Sequence, residues 1–290
     1  MNIIILGKGY VGTALFDCLN KTFDEDTDCV NIYSKAELDY TDRSTLVNRI
    51  TPETWVINTC GYTGRPNVDA CEDNKDDTWY YNVCVPMKIM SSCKETGAHF
   101  VHVSSGCIYD GYDKDYTEND EPNFGLLSNE SSWYSKTKHA GEMSLKNEPA
   151  HILRIRMPFC ATWSERNVLT KLIKYDNVID CVNSMTNLED FCLFISHYIT
   201  QKDPKPGLYN VVNPGKLPTS EILYMLRKFS LENPNWNTIT LDELYKTTKA
   251  KRSNCVLSDQ KIENMNLQLP DVLSSLNRCC KQLRATKQEQ

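Results

Sequence analysis

The chain has 290 residues, 40% of them hydrophobic, with a net charge of −6 and thirteen cysteines. A chain of this length hides roughly three quarters of its unfolded surface, in one large domain or two intimate ones. No apolar run reaches the length of about 18 residues needed to span a bilayer, Ile3 to Leu6 is too short for a secretory leader, and no basic block offers the phosphate neutralisation that nucleic acid requires.

The cysteines form no CxxC pair and the five histidines are scattered, so the thiols read as reduced and cytosolic, with no disulfide frame and no metal site. Asn2 to Leu6 is a continuous apolar strand that runs into Gly7-Lys8-Gly9-Tyr10-Val11-Gly12, and Val11, Leu15 and Leu19 then recur at helical spacing. Further strands are expected at Cys29 to Tyr33, Trp55 to Asn58, Phe100 to Val103 and His151 to Ile155. Trp79, Val83, Met87 and Met90 mark a helix face between them. Beyond Arg156 come a short helix around Leu169 to Ile173, a stronger one over Leu188 to Ile199, a strand at Leu208 to Val212 and a helix starting at Pro218-Thr219-Ser220. The polar tail from about Leu283 reads as frayed. Alternating strands and helices predict an α/β fold, a Rossmann-type doubly wound parallel sheet with a smaller, interleaved C-terminal substrate domain. Residues 1–155 and about 187–213 are assigned to the first, 156–186 and 214–290 to the second.

Gly7-x-Gly9-x-x-Gly12 between a strand and a helix is a dinucleotide fingerprint. Gly7 permits the tight turn, Gly9 lets a pyrophosphate approach, Gly12 lets helix and sheet close up, and Tyr10 and Val11 head the helix that faces the phosphates. The second strand ends in Ile32-Tyr33-Ser34-Lys35, with no carboxylate to take a ribose 2′-hydroxyl. Ser34 and Lys35 suit a 2′-phosphate, so NADPH is expected, with NADH as the alternative; Lys35 reads equally well as a surface lysine.

Tyr134 and Lys138 lie four residues apart, hence on one helix face. A free tyrosine titrates near 10, and a neighbouring ammonium would lower it toward acid–base use. The order glycine turn, Ser104-Ser105, Tyr134, Lys138 resembles the extended short-chain dehydrogenase/reductase family. The resemblance implies that Ser105 and Tyr134 hydrogen-bond the substrate oxygen and that Tyr134 moves the proton. It implies too that Lys138 holds the cofactor ribose. Asn58, Cys60 and Gly61 resemble that family's strand end beside the adenosine, and Asn82 a helix position that supports the tyrosine and borders the substrate.

Longer stretches carry a finer resemblance: NTCGYTGRPNVDACE from Asn58, SGCIYD from Ser105, YSKTK, LTKLIKY, NSMT and RSNC at Arg252 to Cys255. Together they resemble the bifunctional UDP-4-keto-6-deoxyglucose 3,5-epimerase/4-reductases that make UDP-L-rhamnose, and more distantly the dTDP-4-dehydrorhamnose reductases and GDP-fucose synthases. What this implies is a cytosolic enzyme acting on a small nucleotide sugar, with neither nucleic acid nor membrane as partner and with a homodimer allowed. It implies that Cys107 and Lys171 are the epimerase acid–base pair and that Arg65, Asn183, Arg252 and Asn254 line the substrate side. Bland readings stand beside these: Cys107 as a small core residue, Lys171 as a solvated charge like Lys174, Arg65 in a loop ion pair, Arg252 and Asn254 in a surface turn. His139-Ala140-Gly141 places a glycine inside a helix, an unfavourable choice. The rival functions are a 4-ketoreductase without epimerase activity and a non-catalytic dinucleotide-binding subunit.

Overall fold

A strand that is apolar at every position needs cover on both faces, and the fold supplies it. In the computed structural model, which describes residues 1–24, 28–231 and 236–288, strand and helix alternate through the first half. The order is β1 (Asn2–Leu6), α1 (Tyr10–Thr22), β2 (Cys29–Tyr33), α2 (Arg43–Val47), β3 (Thr54–Asn58), α3 (Ala70–Asp73), α4 (Lys75–Trp79), a π-helical turn (Tyr80–Cys84), α5 (Val85–Thr96), β4 (His99–Ser105), β5 (Gly111–Tyr116), α6 (Trp133–Leu145) and β6 (Ala150–Ile155). The second half adds α7 (Val168–Lys174), β7 (Asn177–Ile179), β8 (Val182–Asn183), α8 (Leu188–Ile199), β9 (Gly207–Asn210), β10 (Leu217–Pro218), α9 (Thr219–Lys228), β11 (Asn237–Ile239), α10 (Leu241–Tyr245), β12 (Cys255–Leu257), α11 (Gln260–Glu263) and α12 (Val272–Gln288).

Six strands pair in the order β2-β1-β3-β4-β6-β9, all parallel. The order reverses between β1 and β3, so a crevice opens outside their carboxyl ends, the ligand position of doubly wound sheets. Successive side chains point to opposite faces. Ile3 and Ile5 therefore meet Leu15, Leu19, Phe191 and Ile195 on one side, while Ile4 and Leu6 meet Leu46, Ile89 and Met90 on the other. A third cluster (Phe159, Leu169, Met185, Ile222, Leu276) lies in the second half of the chain. Among the described residues no helix is long and apolar enough to cross a membrane.

Two expectations change. The end of the chain is not frayed from Leu283: that residue is fully buried in the third cluster, and α12 continues to Gln288. Leu276, Cys279, Cys280 and Leu283 fall at i, i+3, i+4 and i+7, one apolar stripe set among polar neighbours. Gly141, unfavourable by helix propensity alone, is where α6 lies tight against the π-helical turn. A Cβ there would lie 2.3 Å from the Asn82 carbonyl oxygen. Gly141→Ala is therefore expected to destabilise the fold by about 1–3 kcal/mol through overpacking, against the gain of about 1 kcal/mol that an exposed helix would show. Urea denaturation reads this out, and an unchanged or raised midpoint would show that the contact relaxes.

One pairing has no counterpart in the expected strands. The short β12 adds in parallel to β5, placing Cys255 opposite Gly111 and Leu257 opposite Tyr116. Residues 253–255 thereby reach the carboxyl ends of β4 and β6.

Candidate active site

The glycine turn has the geometry a pyrophosphate needs. Gly7 sits at φ +110° and donates its N–H to the Tyr33 carbonyl at 2.8 Å. A Cβ on Gly12 would lie 2.0 Å from the Gly7 oxygen, whereas one on Gly9 would meet nothing within 4 Å. Gly12 thus closes the turn and Gly9 leaves its outer face open at the head of α1, so the residues present fit a dinucleotide. Tyr10 pins this head: its hydroxyl lies 3.3 Å from Cys160 Sγ, and burial, then Cys160, pushes the phenol far up. Asn58 is fully buried. Its Oδ1 accepts from Cys60 N at 3.1 Å and Cys60 Sγ at 2.8 Å, and its amide meets His102 Nδ1 at 3.0 Å. It shapes the bend that carries Cys60 and the exposed Gly61 and does not itself reach outward.

The end of β2 differs from the sequence expectation of no carboxylate. Glu37, three residues past Ser34, folds back and accepts from Ser34 N and Ser34 Oγ, both at 2.8 Å, and from Lys8 Nζ. These three donors hold its carboxyl down at about 2, with Lys8 the largest cause. Lys35 leans over Tyr80 and Tyr81, its Nζ 5.6 and 5.8 Å from their ring centres.

β4 ends in Ser105, whose Oγ accepts from Cys107 N at 3.2 Å. Ser132 caps α6 through Ser135 N at 3.1 Å and so sets Tyr134 and Lys138 one turn apart. Lys138 is buried and donates to the Val103 carbonyl at 3.2 Å. Burial pushes its ammonium down to about 8, against the pull of Glu142, Cys60 and Cys107. Tyr134 is displaced upward, contrary to the expected lowering. Burial is the main cause and Cys107 adds to it, while the Ser105 hydrogen bond opposes it. A phenol held in its protonated form is a proton donor across neutral pH. His102 is pushed well down by burial and by Lys138, so the floor of the site is neutral there.

Asn82 was expected on the substrate side. Its Oδ1 accepts from Tyr62 N at 2.8 Å, and its amide donates to Tyr62 O at 2.9 Å and Thr137 Oγ1 at 3.0 Å. All of its polar reach goes to tying the loop after β3 to α6, so it braces the helix of Tyr134 and Lys138. Asn183 and Asn254 are likewise buried, 4% and 6% exposed, and bond each other at 3.2 Å. Asn183 Oδ1 also accepts from Arg156 and from Cys255 N. Both thus share the hydrogen-bond shell of Arg156, where the β12–β5 pairing brings their segments together.

Arg156, the first residue past β6, was not singled out from the sequence. It is 1% exposed and points at Cys107 Sγ from 3.4 Å. Two positions earlier Arg154 is also buried, but it holds the Glu142 carboxylate at 2.7 Å, and Ser104 Oγ donates to the same carboxylate at 2.5 Å. The available signal was the pair of arginines in the otherwise apolar run HILRIRMPF.

Lys171 and Lys174 separate clearly: Lys174 is exposed and Lys171 half-buried. Burial pushes the Lys171 ammonium down, helped by Arg166 and Arg252. Arg166, also missed in the sequence, donates to the Gly64 carbonyl at 2.6 Å and is itself lowered by burial and then by Arg65. Arg65 is exposed. Arg252 is held by Asp69 through a fork of 3.0 and 3.3 Å. Arg65, Arg166, Lys171 and Arg252 thus gather into a cationic rim, a chemistry that suits a diphosphate.

The family model described as the RmlD substrate binding domain matches residues 1–285. The chain belongs to this family. The RmlD family sits within the extended short-chain dehydrogenase/reductases, in keeping with the parallel six-stranded sheet. One relative, the bifunctional dTDP-4-dehydrorhamnose 3,5-epimerase/dTDP-4-dehydrorhamnose reductase of Arabidopsis thaliana, is 37% identical over 231 residues, covering 76% of this chain and 74% of that protein. A trifunctional UDP-glucose 4,6-dehydratase/UDP-4-keto-6-deoxy-D-glucose 3,5-epimerase/UDP-4-keto-L-rhamnose-reductase of the same plant is 36% identical over 253 residues. That match takes in 83% of this chain and 36% of the larger protein. Among solved structures, the L780 UDP-rhamnose synthase of Acanthamoeba polyphaga mimivirus superposes with a TM-score of 0.85 at 25% identity, covering 97% of this chain and 99% of its own.

Proposed function

We propose that this protein epimerises C3 and C5 of UDP-4-keto-6-deoxyglucose and then reduces C4 with NADPH, giving UDP-L-rhamnose. The coarser statement, an enzyme of the nucleotide-sugar reductase family, already accounts for Ser105, Tyr134 and Lys138. The observation that carries the finer one is Cys107, a partly exposed thiol two residues beyond Ser105 and within electrostatic reach of both Tyr134 and Lys138. A simple reductase has no chemical use for a thiol there. The names of the plant relatives and of the mimivirus synthase, which join rhamnose formation to UDP or dTDP sugars, support the same reading. In this scheme residues 156–186 and 214–290 form the substrate-side unit, and the cationic rim takes the diphosphate.

A ketone at C4 acidifies the protons on both of its neighbours. Ser105 and Tyr134 hydrogen-bond the C4 oxygen and stabilise the enolate that forms when a C3 or C5 proton leaves. Cys107 takes the proton from one face, and the Lys171 ammonium, made more acidic by burial and by its cationic neighbours, returns one to the other. The same two hydrogen bonds then serve reduction, because Tyr134 donates its proton to the C4 alkoxide. Bound NADPH supplies the hydride that C4 receives. Lys138 holds the cofactor ribose, and the glycine turn holds its pyrophosphate.

The test is turnover of UDP-4-keto-6-deoxyglucose with NADPH in deuterated water, with the sugar identified by NMR. UDP-rhamnose carrying deuterium at C3 and C5 is expected. NADPH consumption without deuterium at those carbons would leave a plain 4-ketoreductase, and cofactor binding without turnover a regulatory subunit.

Glu37 bears on the choice between NADPH and NADH. Its carboxylate neutralises Lys8 beside the Ser34 and Lys35 positions that a 2′-phosphate would use. Glu37→Gln removes one unit of negative charge there and is expected to tighten NADPH relative to NADH on the order of five-fold, the effect of one solvent-screened charge at contact range. Fluorescence titration with both cofactors measures the ratio. An unchanged ratio would place the 2′-phosphate elsewhere.

A further inference from the structure

Resting on the epimerase reading above, we propose that Arg156 is the positioning residue of the epimerase step, acting as fixed counter-ion to the Cys107 thiolate that takes the substrate proton. The inference starts from where the five N–H donors of this guanidinium go. Nε donates to the Cys255 carbonyl at 3.2 Å. Nη1 donates to Ser253 Oγ at 3.1 Å and to Cys107 Sγ at 3.4 Å. Nη2 donates to the Ser253 carbonyl at 2.7 Å and to Asn183 Oδ1. Every donor is used and the side chain is fully enclosed, so the fork cannot turn to a new partner.

Four of these five acceptors are neutral oxygens. Among the described residues no carboxylate lies within salt-bridge distance of Arg156. A buried cation without a counter-ion is costly, and Arg154, two residues back on the same strand, meets that cost with Glu142. In the hydrogen-bond shell of Arg156, Cys107 is the one partner able to take a full negative charge. The thiolate is the form in which cysteine is a base, and a guanidinium at hydrogen-bond range stabilises it. The remaining oxygens hold the fork in place: Ser253 Oγ is itself tied to the Tyr109 carbonyl at 2.5 Å, and Asn183 to Asn254. Arg156 stays cationic, because Cys255, Cys107, Tyr112 and Asp110 together outweigh the effect of its burial.

The titratable groups around the pair are Tyr134 and Lys138 on α6, Tyr112 on β5, Asp110 just before it and Cys255 on β12. The test must therefore read Cys107 itself. In the wild-type protein, iodoacetamide alkylation is followed peptide by peptide by mass spectrometry, with the exposed Cys29 as internal reference. In Arg156→Met at neutral pH, Cys107 is expected to be labelled on the order of ten-fold more slowly relative to Cys29 than in the wild type, because the guanidinium beside the sulfur is gone. An unchanged Cys107-to-Cys29 ratio would overturn the proposal.

Arg156→Met is expected to slow deuterium exchange at C3 and C5 of the 4-keto sugar by on the order of 10- to 100-fold at neutral pH, the loss of a charge-assisted hydrogen bond, and to move the exchange profile to higher pH. Arg156→Lys should restore part of both. Reduction of UDP-4-keto-rhamnose, which needs no thiol, should persist and reports that the site has folded. If Arg156→Met keeps the wild-type exchange profile, the proposal fails. If the wild-type enzyme shows no exchange at all, the epimerase reading fails instead, and the alkylation result still decides whether Arg156 and Cys107 form a charged pair.

Discussion

Cys107→Ala should abolish exchange of the C3 and C5 protons with solvent while leaving the reductase intact. Loss of a positioned general base costs on the order of 10²- to 10⁴-fold, so exchange measured by NMR in deuterated water should fall to background. The same variant given UDP-4-keto-rhamnose, already inverted at both carbons, should oxidise NADPH within a few-fold of the wild-type rate. The reason is geometric. The hydrogen bond that Cys107 makes to the reductase machinery runs through its backbone N–H, which alanine keeps, so the 3.2 Å bond to Ser105 Oγ survives. The thiol also adds to the upward displacement of Tyr134, and its removal eases that displacement without reversing it, since burial is the larger cause. Deuterium appearing at both carbons at the wild-type rate would return Cys107 to the role of a packing residue.

Tyr134→Phe should have the opposite signature. NADPH oxidation on UDP-4-keto-rhamnose should fall on the order of 10²- to 10⁴-fold, the range for loss of a positioned general acid, and affinity for NADPH should change little. Exchange at C3 and C5 should weaken less, because Ser105 still donates to the C4 oxygen. The hydroxyl is raised by burial, so its protonated form persists through the neutral range. No alkaline loss of reductase activity near neutrality should therefore trace to Tyr134. A loss below ten-fold in Tyr134→Phe would pass the proton-donor role to another group. The two variants together would separate the proposed epimerase step from the reductase step.

Much of this was open to a reader of the sequence because it is local. The glycine turn, the i and i+4 spacing of Tyr134 and Lys138, the apolar strand cores and the helix at Leu188–Ile199 depend on residues close together in the chain. What escaped is set by tertiary approach. Gly141 looks like a helix fault until the Asn82 carbonyl is placed 2.3 Å from its absent Cβ. Glu37 is three residues beyond the strand end, and only the turn of the chain brings it back to Ser34 and Lys8. A neighbouring lysine was expected to lower Tyr134, yet Lys138 turns one of its donors to the Val103 carbonyl and burial decides the direction for Tyr134. That Asn183 and Asn254 bond each other is likewise set by tertiary approach, through the segment that the pairing of β12 with β5 brings in. Arg156 depends on the same pairing, since three of its five bonds go to Ser253 and Cys255.

That pairing also sets an order of assembly. As the chain leaves the ribosome, all six strands of the main sheet have emerged once Asn210 is out, so a sheet with its glycine turn, Tyr134 and Lys138 can close without the last quarter of the protein. The thiol chemistry cannot. Cys107 and Arg156 acquire their shared shell only when residues 253–255, about a hundred positions later than Arg156, dock beside Gly111. A nascent chain lacking that segment would hold the parts of a dinucleotide site without the Arg156 shell, so under the proposed scheme proton abstraction from a reactive keto sugar would wait for residues 253–255 to dock.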